Sequence, residues 1–76
     1  MSKIVVIGKK KCKYCVMAVQ HLNDHGFKFL KKTLGVDIDQ SEIDDIKKAT
    51  GAKTYPIIFV DSKYIGGYTE LCTLDL

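Results

Sequence analysis

The sequence has no run approaching the roughly 18 consecutive apolar residues that a membrane-spanning helix requires. Its start, Met1-Ser2-Lys3 followed by four apolar residues, is too brief for the apolar core of a signal peptide. A cytoplasmic location with no membrane partner is therefore expected. Cysteine is scarce and odd in number, three residues in all, which does not suit the paired staples of a small secreted domain. In a reducing compartment, two cysteines separated by two residues are more often catalytic or metal-binding than structural. No repeat, linker or low-complexity stretch divides the 76 residues, so residues 1–76 read as one domain.

Neither sign of charge dominates. Twelve basic and nine acidic residues give a net charge of +3, which favours small anionic partners but is too mild for a dedicated nucleic-acid binder. What is present is an ordinary soluble composition, 46% apolar and 28% charged, well away from the signature of disorder. A chain of this size buries only about 60% of its unfolded surface, so its core must be modest.

Residues 3–7 are a β-branched run closed by Gly8 and predict a strand buried on both faces. From residue 13 to 25, Cys15, Val16, Val19 and Leu22 recur at helical steps and Gly26 follows at the C-terminal cap. Residues 27–34 alternate imperfectly and predict a second strand. Asp39-x-x-Glu42 has the spacing of a capping box, and Ile43, Ile46 and Ala49 follow at helical steps before Gly51. Residues 57–60 and 63–65, separated by Asp61-Ser62, predict a hairpin. Residues 69–76 predict a short last helix with Leu71, Cys72 and Leu74 turned inward. The order implies a parallel unit followed by a hairpin: an α/β, thioredoxin-like arrangement with a four-stranded mixed sheet flanked by three helices.

Cys12 and Cys15 fall at the start of the first helix, where a three-residue offset puts both sulfurs on one face within reach of a disulfide. A free cysteine, with a pKa near 8.5, is only about 3% thiolate at pH 7. Unpaired amide groups at the helix start favour an anion by roughly 0.3–2 kcal/mol, and Lys9, Lys10, Lys11 and Lys13 add positive charge. A combined shift of about 1.5 units would leave half of Cys12 ionised. Cys12 is therefore the expected attacking thiol and Cys15, one turn inside the helix, the resolving one. Zinc is not expected: there is no second Cys-x-x-Cys, and only five residues separate Cys15 from His21, too few for a finger loop before the His21/His25 pair. Both histidines read as solvated helix residues, Cys72 as a buried small hydrophobe, and Met17 and Val16 as groove wall or core. Pro56 reads as strand punctuation. Gly66-Gly67 reads either as a hairpin exit or as a turn opening a helix whose amides face a carboxylate.

Three motifs in order, Cys12-Lys13-Tyr14-Cys15, Thr54-Tyr55-Pro56 and Gly66-Gly67-Tyr68-Thr69-Glu70-Leu71, make the chain from Ile4 to Leu71 resemble the glutaredoxins. The resemblance implies a cis Pro56 and a groove holding glutathione in mixed disulfide with Cys12. It assigns Lys9 to the glycine carboxylate and Tyr14 to the groove wall. Tyr55 falls to the cysteinyl portion and Tyr68, Thr69 and Glu70 to the γ-glutamyl end, with Thr54, Pro56 and Gly67 also among the implied glutathione-binding residues. It further implies a monomer that reduces protein disulfides or glutathione mixed disulfides and serves as an electron donor to proteins such as ribonucleotide reductase. Two alternatives come with the family: reduction by thioredoxin reductase, as for some small redoxins, and a [2Fe-2S] cluster held between two copies by Cys12 and external glutathione. Lys13 stands where the family usually has proline, and Glu70 where it has aspartate.

Overall fold

The computed structural model describes residues 3–74. Its central strand, β1 (Ile4–Gly8), pairs in parallel with β2 (Phe29–Thr33) and antiparallel with β3 (Ile57–Val60), and β4 (Lys63–Gly66) extends the sheet in the order β2-β1-β3-β4. Parallel pairing of β1 and β2 requires a crossover, which α1 (Lys13–Asp24) supplies. Two further helices, α2 (Gln40–Thr50) and α3 (Tyr68–Thr73), complete the expected order.

β1 is apolar throughout because both faces of the sheet are covered. On one face Ile4, Val6 and Ile58 pack with Ala18 and Leu22 of α1 and Leu71 of α3. On the other, Ile7 and Ile57 pack with Ile38, Ala52 and Ile43 of α2. The two cores are separated by the sheet alone.

Local chemistry fixes the ends of the elements. Asp39 caps α2 by accepting the Glu42 N–H at 2.9 Å, and Gly51 ends it in the left-handed region at φ 78°. The Asp61-Ser62 turn has φ of 52° and 69°, the paired left-handed conformation whose twist matches a two-residue hairpin. Asp61 also ties the turn to the start of β1, accepting the Lys3 N–H on its carboxylate and donating its own N–H to the Lys3 carbonyl, each at 2.7 Å.

The burial pattern corrects several expectations. The inward stripe of α1 is Cys15, Ala18 and Leu22, with Val16 exposed and Val19 half-buried. Ala49 is exposed, because each three-residue step falls about 60° short of a full helical turn and carries it off the face set by Ile43. Cys72 is exposed, since only one of two adjacent residues can face inward and Leu71 takes that place. Leu74 lies past the end of α3 and is exposed, and Asp75 and Leu76 fall outside the described residues. The second strand is shorter than predicted, with Phe27, Lys28 and Leu34 outside it. His21 is half-buried, with the Tyr68 ring edge-on to it at 6.5 Å between centroids; His25 is exposed.

Ser62 occupies a left-handed position without the side-chain bond that Asp61 makes. Ser62→Gly is expected to stabilise the fold by about 0.5–1 kcal/mol in urea denaturation; an unchanged or lowered midpoint contradicts this account of the turn.

Candidate active site at the start of the first long helix

Cys12 is the N-cap of α1, in extended conformation with φ −110° and ψ 108°. Its sulfur accepts a hydrogen bond from the Cys15 N–H at 3.3 Å, the role an Asp or Ser oxygen plays at an ordinary helix start. The Cys12 and Cys15 Cα atoms are 5.2 Å apart and their sulfurs are in disulfide contact. At the Cys12 position free amides and the positive end of the helix dipole converge, an environment that favours an anion. Cys15, in the third helical position, is 2% exposed against 9% for Cys12. It is walled in by Gly8 at the end of β1, where an added Cβ would meet the Cys15 sulfur at 3.0 Å. Gly8 was read from the sequence only as a strand terminator; its need to lack a side chain has no signal in spacing.

Two clefts adjoin the Cys12-Lys13-Tyr14-Cys15 turn. One, of about 230 Å³, is lined by Tyr14, Thr54, Tyr55, Gly67, Tyr68, Thr69 and Glu70. All seven belong to the set that the family resemblance assigned to glutathione, drawn here from three separate segments. Tyr14 and Tyr68 form an aromatic wall with centroids 6.0 Å apart. Lys9 does not line this cleft, but its Nζ stands 5.2 Å from the centre of the Tyr55 ring that does. Lys47, from the last turn of α2, stands at 5.0 Å from the same ring, a contribution that sequence reasoning missed. The Tyr55-Pro56 bond is cis, and Pro56 is buried beneath the cleft.

The far end of this cleft depends on glycine. Gly66 has φ 128°, and a Cβ there would come 2.5 Å from Glu70 Cγ. The Glu70 carboxylate folds back to accept the Gly67 N–H at 2.7 Å, so its longer side chain is engaged with its own backbone. The Tyr68 phenol is held protonated past its usual range, first by a hydrogen bond with the Cys72 side chain, then by the charge of that sulfur when ionised and by slight desolvation.

The second cleft, of about 430 Å³, is lined by Lys9, Lys10, Lys11, Cys12, Lys13 and Cys15, joined by Lys31, Thr33 and Val16. Lys31 and Thr33 come from β2 and were not singled out in the sequence. Among the described residues no three His, Cys, Asp or Glu side chains gather as a metal site.

A sulfur pair at a helix start beside a cis-proline loop, on a mixed sheet covered by helices, defines a thioredoxin-like thiol-disulfide oxidoreductase. The Glutaredoxin family profile matches residues 4–65. Glutaredoxin 3 of Escherichia coli K12 is 32% identical over 75 residues, spanning 99% of this chain and 88% of that protein. Among solved structures, a buckwheat glutaredoxin-glutathione complex aligns with a TM-score of 0.81 at 27% identity, covering 91% of this chain and 64% of that one. The glutaredoxin-like NrdH-redoxin of Escherichia coli aligns with a TM-score of 0.75 over 97% of this chain and 96% of that one, at 16% identity that speaks to fold alone. The chain belongs to the glutaredoxin family.

In the reduced protein, Cys12 is expected to react with iodoacetamide faster than Cys15 at neutral pH. Preferential labelling of Cys15 overturns the division of roles. Separately, Cys72→Ala should lower the Tyr68 phenol back towards its ordinary value of 10.0 in an ultraviolet pH titration; no change removes Cys72 as the cause.

Proposed function

We propose that this glutaredoxin is a glutathione-dependent thiol-disulfide oxidoreductase acting on protein disulfides or glutathione mixed disulfides. The observation that carries the reading is the smaller cleft: the seven residues lining it are all ones that the family resemblance assigns to glutathione, and it adjoins the Cys12-Cys15 turn. The related buckwheat protein, whose structure is a glutathione complex, supports the same ligand.

The chemistry follows from the geometry. The Cys12 thiolate attacks one sulfur of the target disulfide; a mixed disulfide forms and the other target sulfur leaves as a thiolate. Cys15, held one turn away, attacks the Cys12 sulfur, releasing the second target thiol and closing the Cys12–Cys15 disulfide. Two electrons have passed to the target. One glutathione thiolate then opens the Cys12–Cys15 bond, and a second attacks the resulting mixed disulfide, giving glutathione disulfide and restoring the dithiol. In the mixed disulfide, Tyr55 offers its backbone to the cysteinyl part. Lys9, with Lys47 adding a second ammonium at the Tyr55 ring, faces the glycine carboxylate, while Tyr68, Thr69 and Glu70 take the γ-glutamyl end. With Glu70 already bonded to Gly67, the γ-glutamyl ammonium is drawn to the carboxylate oxygen left free.

The protein is read as a cytoplasmic monomer and as an electron donor to disulfide-forming enzymes such as ribonucleotide reductase, supported by its charge, its cysteine usage and its family. The test compares turnover of a small mixed disulfide with glutathione plus glutathione reductase against turnover with thioredoxin reductase. Turnover in the glutathione system, reduced at least about a hundredfold by Cys12→Ser, is the expected result. Turnover only with thioredoxin reductase replaces glutathione with that reductant; full activity in Cys12→Ser removes the mechanism.

A further inference from the structure

The larger cleft extends beyond the residues assigned to glutathione, of which it contains only Lys9 beside the two cysteines. It holds about 430 Å³ and is lined by five of the chain's twelve lysines and by no carboxylate. Four of these lysines belong to the run around Cys12, which alone would read as an ordinary solvated loop. The fifth, Lys31, arrives from β2, eighteen positions beyond Lys13, and with Thr33 closes the cleft from the opposite side. Lysines from two separate segments thus line one cleft together with Cys12 and Cys15. Lys11, immediately before Cys12, has φ 57°, a conformation in which glycine would be unstrained, yet it retains a long cationic side chain that lines the cleft.

We infer that this cleft docks an acidic segment flanking the disulfide of a polypeptide substrate, and that Lys31 sets specificity for it. The inference rests on the thiol-disulfide exchange proposed above and names the substrate class of that site. Substrate carboxylates beside the disulfide would pair with the lysines and bring the target sulfur to Cys12. When Cys12 attacks, the sulfur–sulfur bond of the substrate breaks and the departing sulfur carries the electron pair away as a thiolate. The same ammonium groups stabilise that developing charge. Of the residues assigned to glutathione only Lys9 lines this cleft, so Lys10, Lys11, Lys13 and Lys31 are left for a polypeptide segment. The absence of any aromatic side chain in the lining favours an acidic peptide over single-stranded nucleic acid, whose bases need stacking partners.

The experiment measures one turnover, with no glutathione present. Fully reduced protein is mixed with either of two peptide disulfides of identical loop length, one flanked by Asp and Glu, the other by Asn and Gln. Second-order rate constants are read by acid quench and chromatography at about 20 mM and about 300 mM salt. Wild type should react with the acidic peptide about tenfold faster at low salt, and most of that preference should vanish at high salt as screening shortens the reach of the lysines. Lys31→Glu should cut the acidic-to-neutral ratio at least about threefold. Lys28→Glu, an equal change of net charge at an exposed position outside the cleft, should leave the ratio unchanged. No preference in wild type, a preference indifferent to salt, or equal losses in Lys31→Glu and Lys28→Glu each overturn the inference. Because the assay contains no glutathione, failure of the glutathione reading leaves it intact, and the reverse holds as well.

Discussion

Cys12 Sγ sits where a helix start normally places an oxygen, accepting the Cys15 amide at 3.3 Å, and the remainder of the site is arranged around keeping a sulfur there. An anion at an N-cap is favoured by amides that have no partner within the helix, so ionisation of this thiol is tied to the folding of α1. That folding depends in turn on Cys15, Ala18 and Leu22 burying one stripe of the helix against β1 and β3. Active site and core therefore share a residue: Cys15, the proposed resolving thiol, is also the first buried position of the helix. Gly8 leaves room for it, because a Cβ at the end of β1 would press on the Cys15 sulfur at 3.0 Å.

The two clefts divide the demands of exchange chemistry between different surfaces. The smaller one is assembled from short segments far apart in sequence: the active-site turn, the loop before β3 and the start of α3. Its walls carry three aromatic residues, Tyr14, Tyr55 and Tyr68. The larger one is lined by five lysines beside the two cysteines and by no aromatic residue. One wall is thus built mainly of rings and the other mainly of lysine.

Much of this was legible in the residues. β1 was visible because a both-faces-buried strand must be apolar throughout, and the hairpin because Asp61-Ser62 separates two apolar runs by two residues. Asp39 and Gly51 marked the ends of α2 through cap chemistry that is local to the backbone. The failures share a cause. Periodicity tells which residues can lie together on a helix face, but the rotation of that face towards the core is set by tertiary packing. Ala49 was thus assigned inward when it faces out, Val16, read as groove wall or core, is exposed and lines the larger cleft, and in a six-residue helix Cys72 had no repeat long enough to place it. Of the site, the seven residues lining the smaller cleft all lie in the three contiguous motifs, whereas Lys9 and Pro56 do not line it. Lys31, Thr33 and Lys47 were not found, because strand β2 and helix α2 bring them to the sulfurs and to Tyr55 through the fold alone.

The sheet order leaves β2 and β4 as the two outer strands, and each carries lysine, Lys31 and Lys32 on one and Lys63 on the other. An outer strand offers unpaired amides and carbonyls to any passing chain, and its natural partner is the same strand of another copy. Joining two β2 edges would crowd four ammonium groups along one seam. Lys31, which lines the cleft beside the reactive sulfur, thus also helps to discourage the molecule from adding itself, strand by strand, into aggregates.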